Sequence, residues 1–365
     1  MADTTVTSAN RVQAWADEEF FEYVRMNPFK RYMGTSENSI IQVKEELTKE
    51  SGDRITYSLV TRLTGSGVTN GAQLEGNEEA LGNYGHQVTV NQLRHGVVVG
   101  EYEKIKTKID LLAAAKTMLR LWNMEQLRDL FIARFLSPVT DGLTTYAAAT
   151  EAQKDAWETA NNPTDANQRI LFGAAKANST LDHSAGLTEI DGTADDLHQS
   201  IVRIAKRMAQ SADPHIRPVV TEEGEERYVM FVGSIPFRDL TANFETILSN
   251  ADPRGEQNRL FKGGDLKIDN VIVHEVPELD RFNTAGGSTL DNVGASGTTD
   301  VQATFLCGAQ ALLLPWAQRM QVKMDEFDYQ ERRGVAVAEI RGCEKATYNS
   351  FQHGVVTAYV SAVGD

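Results

Sequence analysis

The 365 residues predict an α+β protein, and three observations carry that prediction. Two segments that alternate apolar with polar residues, "RITYSLVTRL" and "HQVTVNQLRHGVVVG", flank a glycine-rich excursion and read as a long two-stranded arm. The amphipathic run "TKIDLLAAAKTMLRLWNMEQLRDLFIARFLSP", Thr107 to Pro138, reads as one long helix. From Glu226 onward strand patterns dominate.

Ser8 can cap a first helix through "NRVQAWADEEFFEYVRM", with Val12, Trp15, Phe20 and Val24 near one stripe and Asn27-Pro28 as its stop. That helix belongs to an N-terminal arm, residues 1–50. In the first strand of the two-stranded excursion Ile55, Tyr57, Leu59 and Thr61 share a face, and Val88, Val90 and Gln92 resume the alternation after the glycine-rich part. Between them, Asn70-Gly71 is a strong tight-turn signal, and Glu75, Glu78 and Glu79 could not be buried without partners. A nucleotide cradle is excluded: Gly65, Gly67 and Gly71 miss the dinucleotide spacing by one residue, and no Lys occurs between Lys49 and Lys104. Such an excursion buries little core of its own. It suits a protein that reaches across to a neighbour.

On the long helix, Thr107 with Asp110 resembles a capping box, and Ile109, Leu112, Leu119, Trp122, Leu127, Leu130 and Phe131 supply an apolar face. At 1.5 Å per residue it would run about 45 Å, a scaffold beam. From Thr140 to Asp196 the chain turns to Ala, Thr, Asn and Asp with little apolar periodicity and reads as surface; Gly286 to Thr299 reads as a mobile loop. A helix follows Thr193, with Leu197, Ile201, Ile204 and Met208 on one side, and stops before Pro214. Strands are expected at "ERYVMFVGSI", "LKIDNVIVHEV" and "VQATFLCGAQALLL", with a short helix "TANFETILSN" between the first two. The end pairs "QVKMDEFDYQ" with "GVAVAEIRGC" across Arg332, Arg333 and Gly334 and finishes with "HGVVTAYVSAV". No period of 20 to 50 residues repeats, so the chain is not a solenoid.

The net charge of -15 with no local Lys/Arg cluster weighs against sequence-reading of DNA. Neither a basic, apolar leader nor a run near the roughly 20 apolar residues that span a bilayer is present, so a soluble protein made in a cytoplasm is expected. Cys307 and Cys343 are too few for a disulfide framework or zinc site and read as buried thiols. His274-Glu275 lacks the second His of a zincin, where Glu278 stands, and "EIDGTADD" lacks EF-hand spacing and reads as a solvated loop or helix start. Ser234 lacks the second glycine of a hydrolase elbow. Asn178-Ser179-Thr180 spells a glycosylation sequon that carries no meaning without a secretory signal. His86, His95, His183, His198, His215, His274 and His353 are scattered and read as surface or interface residues, while Trp15, Trp122, Trp157 and Trp316 read as core or interface anchors. No catalytic residue, metal site or cofactor is expected, and the chain does not read as an enzyme.

"GDRITYSLVTRLTGSGVTNGAQLEGNEEALGNYGHQVTVNQLRHGV", Gly52 to Val97, closely resembles the signature of tailed-phage major capsid proteins of the group typified by N4-like podoviruses, and "FDYQERRGVAVAEIRGCEKATY", Phe327 to Tyr348, resembles that family's closing hairpin and strand. The resemblance implies the Hong Kong 97 phage-type capsid fold. It places an N-terminal arm at 1–50, an E-loop and its base at 51–104, a peripheral P-domain spine helix at 105–138, an axial A-domain at 139–317, a P-domain hairpin at 318–345 and a C-terminal strand returning to the A-domain at 346–365. The implied function is an icosahedral shell around a tailed phage's double-stranded DNA, in the virion, assembled in the host cytoplasm. The implied partners are the chain itself in pentamers and hexamers, a portal protein, packaged DNA held without specificity and, in some relatives, a decoration protein. Intersubunit contact candidates are Arg62, Asn70, Gly71, Glu75, Glu78, Glu79, Tyr84 and Arg94 of the E-loop, with Trp15, Phe20 and Phe21 of the arm. Some relatives weld neighbours through an E-loop Lys; this loop has none. No long scaffolding extension precedes the arm, so a separate scaffolding protein is expected. Acidic charge suits DNA that must slide inside a shell. A nanocompartment shell of the same fold and an α+β enzyme with an unrecognised site are the competing readings.

Overall fold

The computed structural model of the chain describes residues 26–45, 52–71, 73–107, 109–138, 144–162, 164–221, 224–242, 261–262, 265–280 and 290–364. In chain order the strands are β1 (Ile41–Lys44), β2 (Arg54–Val60), β3 (Asn83–Thr89), β4 (Asn91–Gly100), β5 (Ile170–Phe172), β6 (Glu226–Val232), β7 (Asp265–Ile268), β8 (Val271–Glu275), β9 (Val301–Cys307), β10 (Leu312–Phe327), β11 (Arg332–Arg341) and β12 (Val355–Ser361). The helices are α1 (Glu101–Lys106), α2 (Leu111–Leu136), α3 (Glu151–Ala160), α4 (His183–Thr188), α5 (Gln199–Ser211) and α6 (Ser234–Ala242). Two compact units result, one of residues 1–27, 92–127 and 319–339, the other of 28–91, 128–318 and 340–365.

The larger unit is built on an eight-stranded sheet whose main order is β5-β12-β9-β6-β8-β7, with Phe261–Lys262 beyond β7 and Val219–Val220 beside β6. β12 runs antiparallel to β9, from Val301 opposite Ser361 to Cys307 opposite Val355, and parallel to β5. Every residue of β9 and β12 is buried, so these strands read as unbroken apolar runs because both faces are covered. One face takes α5, whose Ile201, Val202, Ala205, Met208 and Ala209 recur at helical spacing and pack with Met230, Leu306, Val356 and Val360. On the other face, Phe231 and Phe305 lie opposite each other across β6 and β9 and meet Phe29 and the last turns of α2 through Phe131 and Phe135. A second sheet of this unit pairs β1 in parallel with the start of β10, and Glu344–Lys345 antiparallel to the same strand.

In the smaller unit the outer part of β10, β11 and β4 lie side by side. Leu119 of α2 packs on Val335 and Val337 of β11, with Leu112, Trp122 and Met320 around them. Asn123 donates to the Glu339 carboxylate at 2.7 Å.

The structure corrects several expectations. The long helix starts at Leu111, not Thr107, because Asp110 is its cap and accepts from the N–H groups of Leu112 and Ala113 at 3.1 Å each. Residues 144–196 are not surface. Trp157, Ile170, Leu171, Phe172, Leu187 and Ile190 are buried there, and α3 carries a complete capping box from Thr150 and Gln153. The following helix begins at Gln199, since Asp195 is buried and serves as acceptor for Ala174 N–H at 2.6 Å and Asp191 N–H at 2.9 Å. Gly173 is needed beneath that carboxylate: it has a φ of 58°, and a Cβ would stand 2.2 Å from Asp195 Oδ1. "LKIDNVIVHEV" is a hairpin, turned at Asp269 and Asn270 with φ of 45° and 66°. "VQATFLCGAQALLL" divides into β9 and the start of β10, and the strand from Glu226 stops at Val232 so that Ser234 opens α6. "HQVTVNQLRHGVVVG" breaks at Val90 into β3 and β4, and the last hairpin turns at 328–331. Residues 290–299 are packed turns with Leu290 and Thr299 buried. His86 and His183 are buried, against the expectation of surface or interface positions for all seven histidines. The expected N-terminal helix, and all but the first two residues of "TANFETILSN", lie outside the described residues.

Several polar groups buried inside the larger unit bond to one another. Glu158, fully buried, accepts from Ser179 Oγ at 2.5 Å and Leu181 N–H at 3.1 Å, and burial raises its pKa. Tyr146 Oη and His183 Nε2 are 2.7 Å apart. Burial, reinforced by the Lys154 charge, lowers the His183 pKa to about 3; burial, reinforced by the Arg169 charge, lowers that of His353 to about 4.

Phe131→Ala should cost about 3–5 kcal/mol, as for a fully buried Phe, and the half-buried Leu127→Ala less, read by urea unfolding; equal costs would mean the buried face of α2 is misplaced. Both imidazoles are neutral in the fold and free to charge in the unfolded chain, near the ordinary pKa of about 6.5. Their stability contribution is therefore intact above about pH 6.5 and withdrawn as pH falls toward 4. The urea midpoint should drop across that window and drop less steeply in His353→Gln; an unchanged slope in that variant would refute the assignment.

Candidate intersubunit interface

The glycine-rich stretch is rooted in a regular antiparallel pair, Arg54 opposite Thr89 through Val60 opposite Asn83. Alternation sends Ile55, Tyr57 and Val88 down onto Leu313, Ala346 and Tyr348, and all six are buried. His86 Nε2 lies 3.1 Å from Glu344 Oε2 in a buried pair beside this root, and the Lys44 ammonium sits over the Tyr57 ring at 4.4 Å. The root is thus fixed while the outward side chains stay wet.

Beyond the root the loop holds itself together. Thr61 N–H donates to Gly82 O at 3.0 Å, and the Glu79 carboxylate accepts from Thr64 N–H at 2.7 Å, Gly65 N–H at 2.6 Å and Thr64 Oγ1 at 3.0 Å. Those backbone donors hold the Glu79 pKa below its ordinary value. A Cβ at Gly65 would stand 2.8 Å from the carboxylate, so a larger residue there would have to displace Glu79 from its grip. Asn70 and Gly71 make the expected turn with φ of 58° and 71°. Glu78 accepts from Gly76 N–H at 2.8 Å and Glu75 from Gln73 Nε2 at 2.9 Å. With Glu78 and Glu79 turned to its own backbone, the loop presents Val60, Leu63, Leu74 and Leu81 at 57–63% exposure. One ion pair, Arg62 to Asp213 at 2.8 Å, ties it to the body; both groups are more than half exposed, so the tie is weak.

Of the residues singled out from sequence, the structure gathers Arg62, Asn70, Gly71, Glu75, Glu78, Glu79 and Tyr84 on this hairpin. Arg94 is elsewhere, exposed on β4 of the smaller unit, and Trp15, Phe20 and Phe21 lie outside the described residues. Sequence reasoning missed Leu63, Leu74 and Leu81, whose signal was there as single apolar residues stranded in a polar stretch, and Asp213, which no local pattern could pair with Arg62. Elsewhere, His274 stands on strand β8, 2.8 Å from Arg31, and Ser234 N–H donates to Asp280 at 3.1 Å as α6 begins. Cys307 and Cys343 are buried, and burial pushes the Cys343 thiol up to about 12. Among the described residues no His/Cys/Asp/Glu group could hold a metal, and no helix is long and apolar enough to cross a membrane.

The family model described as "Phage capsid protein" matches residues 3–362. The chain belongs to the phage capsid protein family. It is similar to the major capsid protein of Pseudomonas phage KPP25, 29% identical over 377 residues that cover 96% of this chain and 94% of that one. It is also similar to the capsid subunit of cyanophage Pam1, at 35% identity and a TM-score of 0.89 with full coverage of both chains. The capsid of Ralstonia phage GP4 shares the fold, at 23% identity, a TM-score of 0.73 and coverage of 100% and 99%. The fold is the Hong Kong 97 phage type, and the chain is a tailed phage's major capsid protein, forming the capsid shell of the virion.

Glu79→Ala should free Thr64 and Gly65 N–H without reaching the core, so amide exchange across 61–82 should quicken while the melting temperature stays put. Unchanged exchange there would show that the carboxylate does not organise the loop.

Proposed function

We propose that the shell is icosahedral, encloses double-stranded DNA, and is held by the 54–89 hairpin lying on a neighbouring subunit. The observation that carries the hairpin contact is a loop already folded by its own carboxylates that leaves Leu63, Leu74 and Leu81 outside any core; the shell itself rests on the family and its relatives. Pre-organisation lowers the entropy lost on docking, and exposed apolar groups on a polar stem mark a contact surface. In this reading 1–50 is the N-terminal arm and contributes Trp15, Phe20 and Phe21, 51–104 the E-loop and its base, to which Arg94 belongs, and 105–138 the spine helix. The A-domain is 139–317, the P-domain hairpin 318–345, and 346–365 rejoins the A-domain sheet. The role is structural rather than catalytic. Assembly in the host cytoplasm proceeds with a scaffolding protein and a portal, and an outer decoration protein is compatible with it. A weld from an E-loop Lys is not available, because none is present.

Deleting Thr69–Asn83 should leave a folded protein that no longer closes into shells by negative-stain electron microscopy with the scaffold co-expressed. Normal particles from the deletion would end the case for the loop.

A further inference from the structure

The eight-stranded sheet has chemically opposite ends. At one end, the β7–β8 turn at Asp269 and Asn270 is ringed by cations of α5. Arg203 Nε donates to Asp269 Oδ2 at 2.5 Å and Lys206 Nζ to Asp269 O at 2.6 Å. Arg207, exposed one turn on, has no ion-pair or hydrogen-bond partner for its side chain among the described residues. Lys176 reaches Gln168, which also accepts from Ser211 at the end of α5, and the Arg207 charge adds to burial in lowering its pKa. Arg203 and Lys206 are thus held on one turn residue, with Arg207 on the same helix and Lys176 near its end, in a chain whose net charge is -15.

At the other end, about 20 Å away along the seven residues of β12 at ~3.3 Å each, carboxylates crowd. Asp196 bridges to Ser361, and Asp300 precedes Val301, the register partner of Ser361. Asp300 Oδ1 accepts from Asn292 N–H at 2.9 Å, and Asp191 is exposed on the loop whose Ile190 O accepts from Ala295 N–H. Asp291 Oδ1 is buried with no hydrogen-bond partner among the described residues, an acceptor waiting for a donor. The pKa of Asp291 is raised by burial and then by Asp300; that of Asp196 is raised by burial, with Asp239 adding, against the Ser361 hydrogen bond and then Arg238 and His198. Arg238 is itself engaged with Asp239 at 2.8 Å.

Identical subunits that close into a ring touch head to tail, so each must carry two different, mutually complementary surfaces. We propose that the cationic patch of α5 receives the acidic sheet end of a second copy of this chain, repeated around each ring of the shell. This rests on the shell reading above. Complementary charge of this kind suppresses wrong registers and steers approach more than it adds affinity, which suits subunits that must fit both pentamers and hexamers. Packaged DNA is the weaker occupant: its phosphates would meet four cations on a domain otherwise acidic, too few for much counterion release.

The test is a charge swap read by shell yield, with scaffold co-expressed, in sedimentation and electron microscopy. Arg207→Glu and Asp191→Lys, both at exposed side chains, should each lower yield tenfold or more while thermal melting is unchanged. The double variant Arg207→Glu/Asp191→Lys, in which every ring contact is restored with reversed sign, should recover most of it. Adding Lys176→Glu and Asp291→Lys to the respective sides should deepen both the loss and the recovery. Normal yield from both single variants, or no recovery in the double, would overturn the contact, as would intact Arg207→Glu shells that instead retain less DNA. Failure of the unaltered chain to form shells in the same assay would strike the shell reading itself.

Discussion

Five phenylalanines hold the larger unit in register. Phe231 and Phe305 come from neighbouring strands, Phe131 and Phe135 from α2, and Phe29 from the turn before β1; ring centroids lie 4.9 Å apart for Phe29 and Phe231 and 5.3 Å for the stacked Phe135 and Phe305. Each is at most 1% exposed. Aromatic rings in such a set restrict one another's orientation as well as burying area, so the elements that bear them lose the freedom to slide. The consequence reaches the loop. Phe29 fixes the chain that enters β1, β1 pairs with Leu312–Pro315 of β10, and Leu313 is the floor under Ile55, Tyr57 and Val88. A loop that must meet a neighbour at a defined angle has to be rooted in something that does not yield.

A second kind of order supports 144–196. Asn161 Oδ1 accepts from Gln352 N–H at 3.1 Å, Gln352 Nε2 donates to Arg169 O at 3.2 Å, and the Arg169 guanidinium donates to Pro214 O at 2.6 Å, with its pKa lowered to about 10, chiefly by burial. Lys345, also buried, donates to Phe135 O and Gln352 Oε1 at 3.1 Å each; burial lowers its pKa to about 7. Buried polar groups joined this way cost little when every partner is present and much when one is missing, so they specify one arrangement rather than supplying net stability.

That contrast explains what the residues disclosed. The long helix was legible because Leu119 and Phe131 recur on one face over 26 residues, and the hairpin root because Ile55, Tyr57 and Val88 alternate against a wet side. Residues 144–196 were not, since Glu158, Arg169, His183 and Asp195 are buried in pairs and networks, and a period-based reading takes each for surface. Strand limits blurred where turns lacked glycine, as at Asp269-Asn270. In the loop the sequence displayed the acidic residues but not what they hold. The grip of Glu79 on the backbone of Thr64 and Gly65 depends on a chain reversal about fifteen residues long, which no local spacing encodes.

Those self-directed carboxylates bear on how such a chain can assemble at all. Copies with a net charge of -15 repel one another at a distance, and salt confines that repulsion to about 8–10 Å. Attraction must therefore be short-ranged and local. A loop whose Glu78 and Glu79 already bond to backbone N–H groups carries carboxylates solvated by its own chain, so the Leu63, Leu74 and Leu81 side chains can approach a surface with less water to strip from those charges. On the proposed reading each contact stays individually weak. Weak contacts let a misplaced subunit leave before the ring closes around it, and many contacts per subunit make the finished shell hard to open.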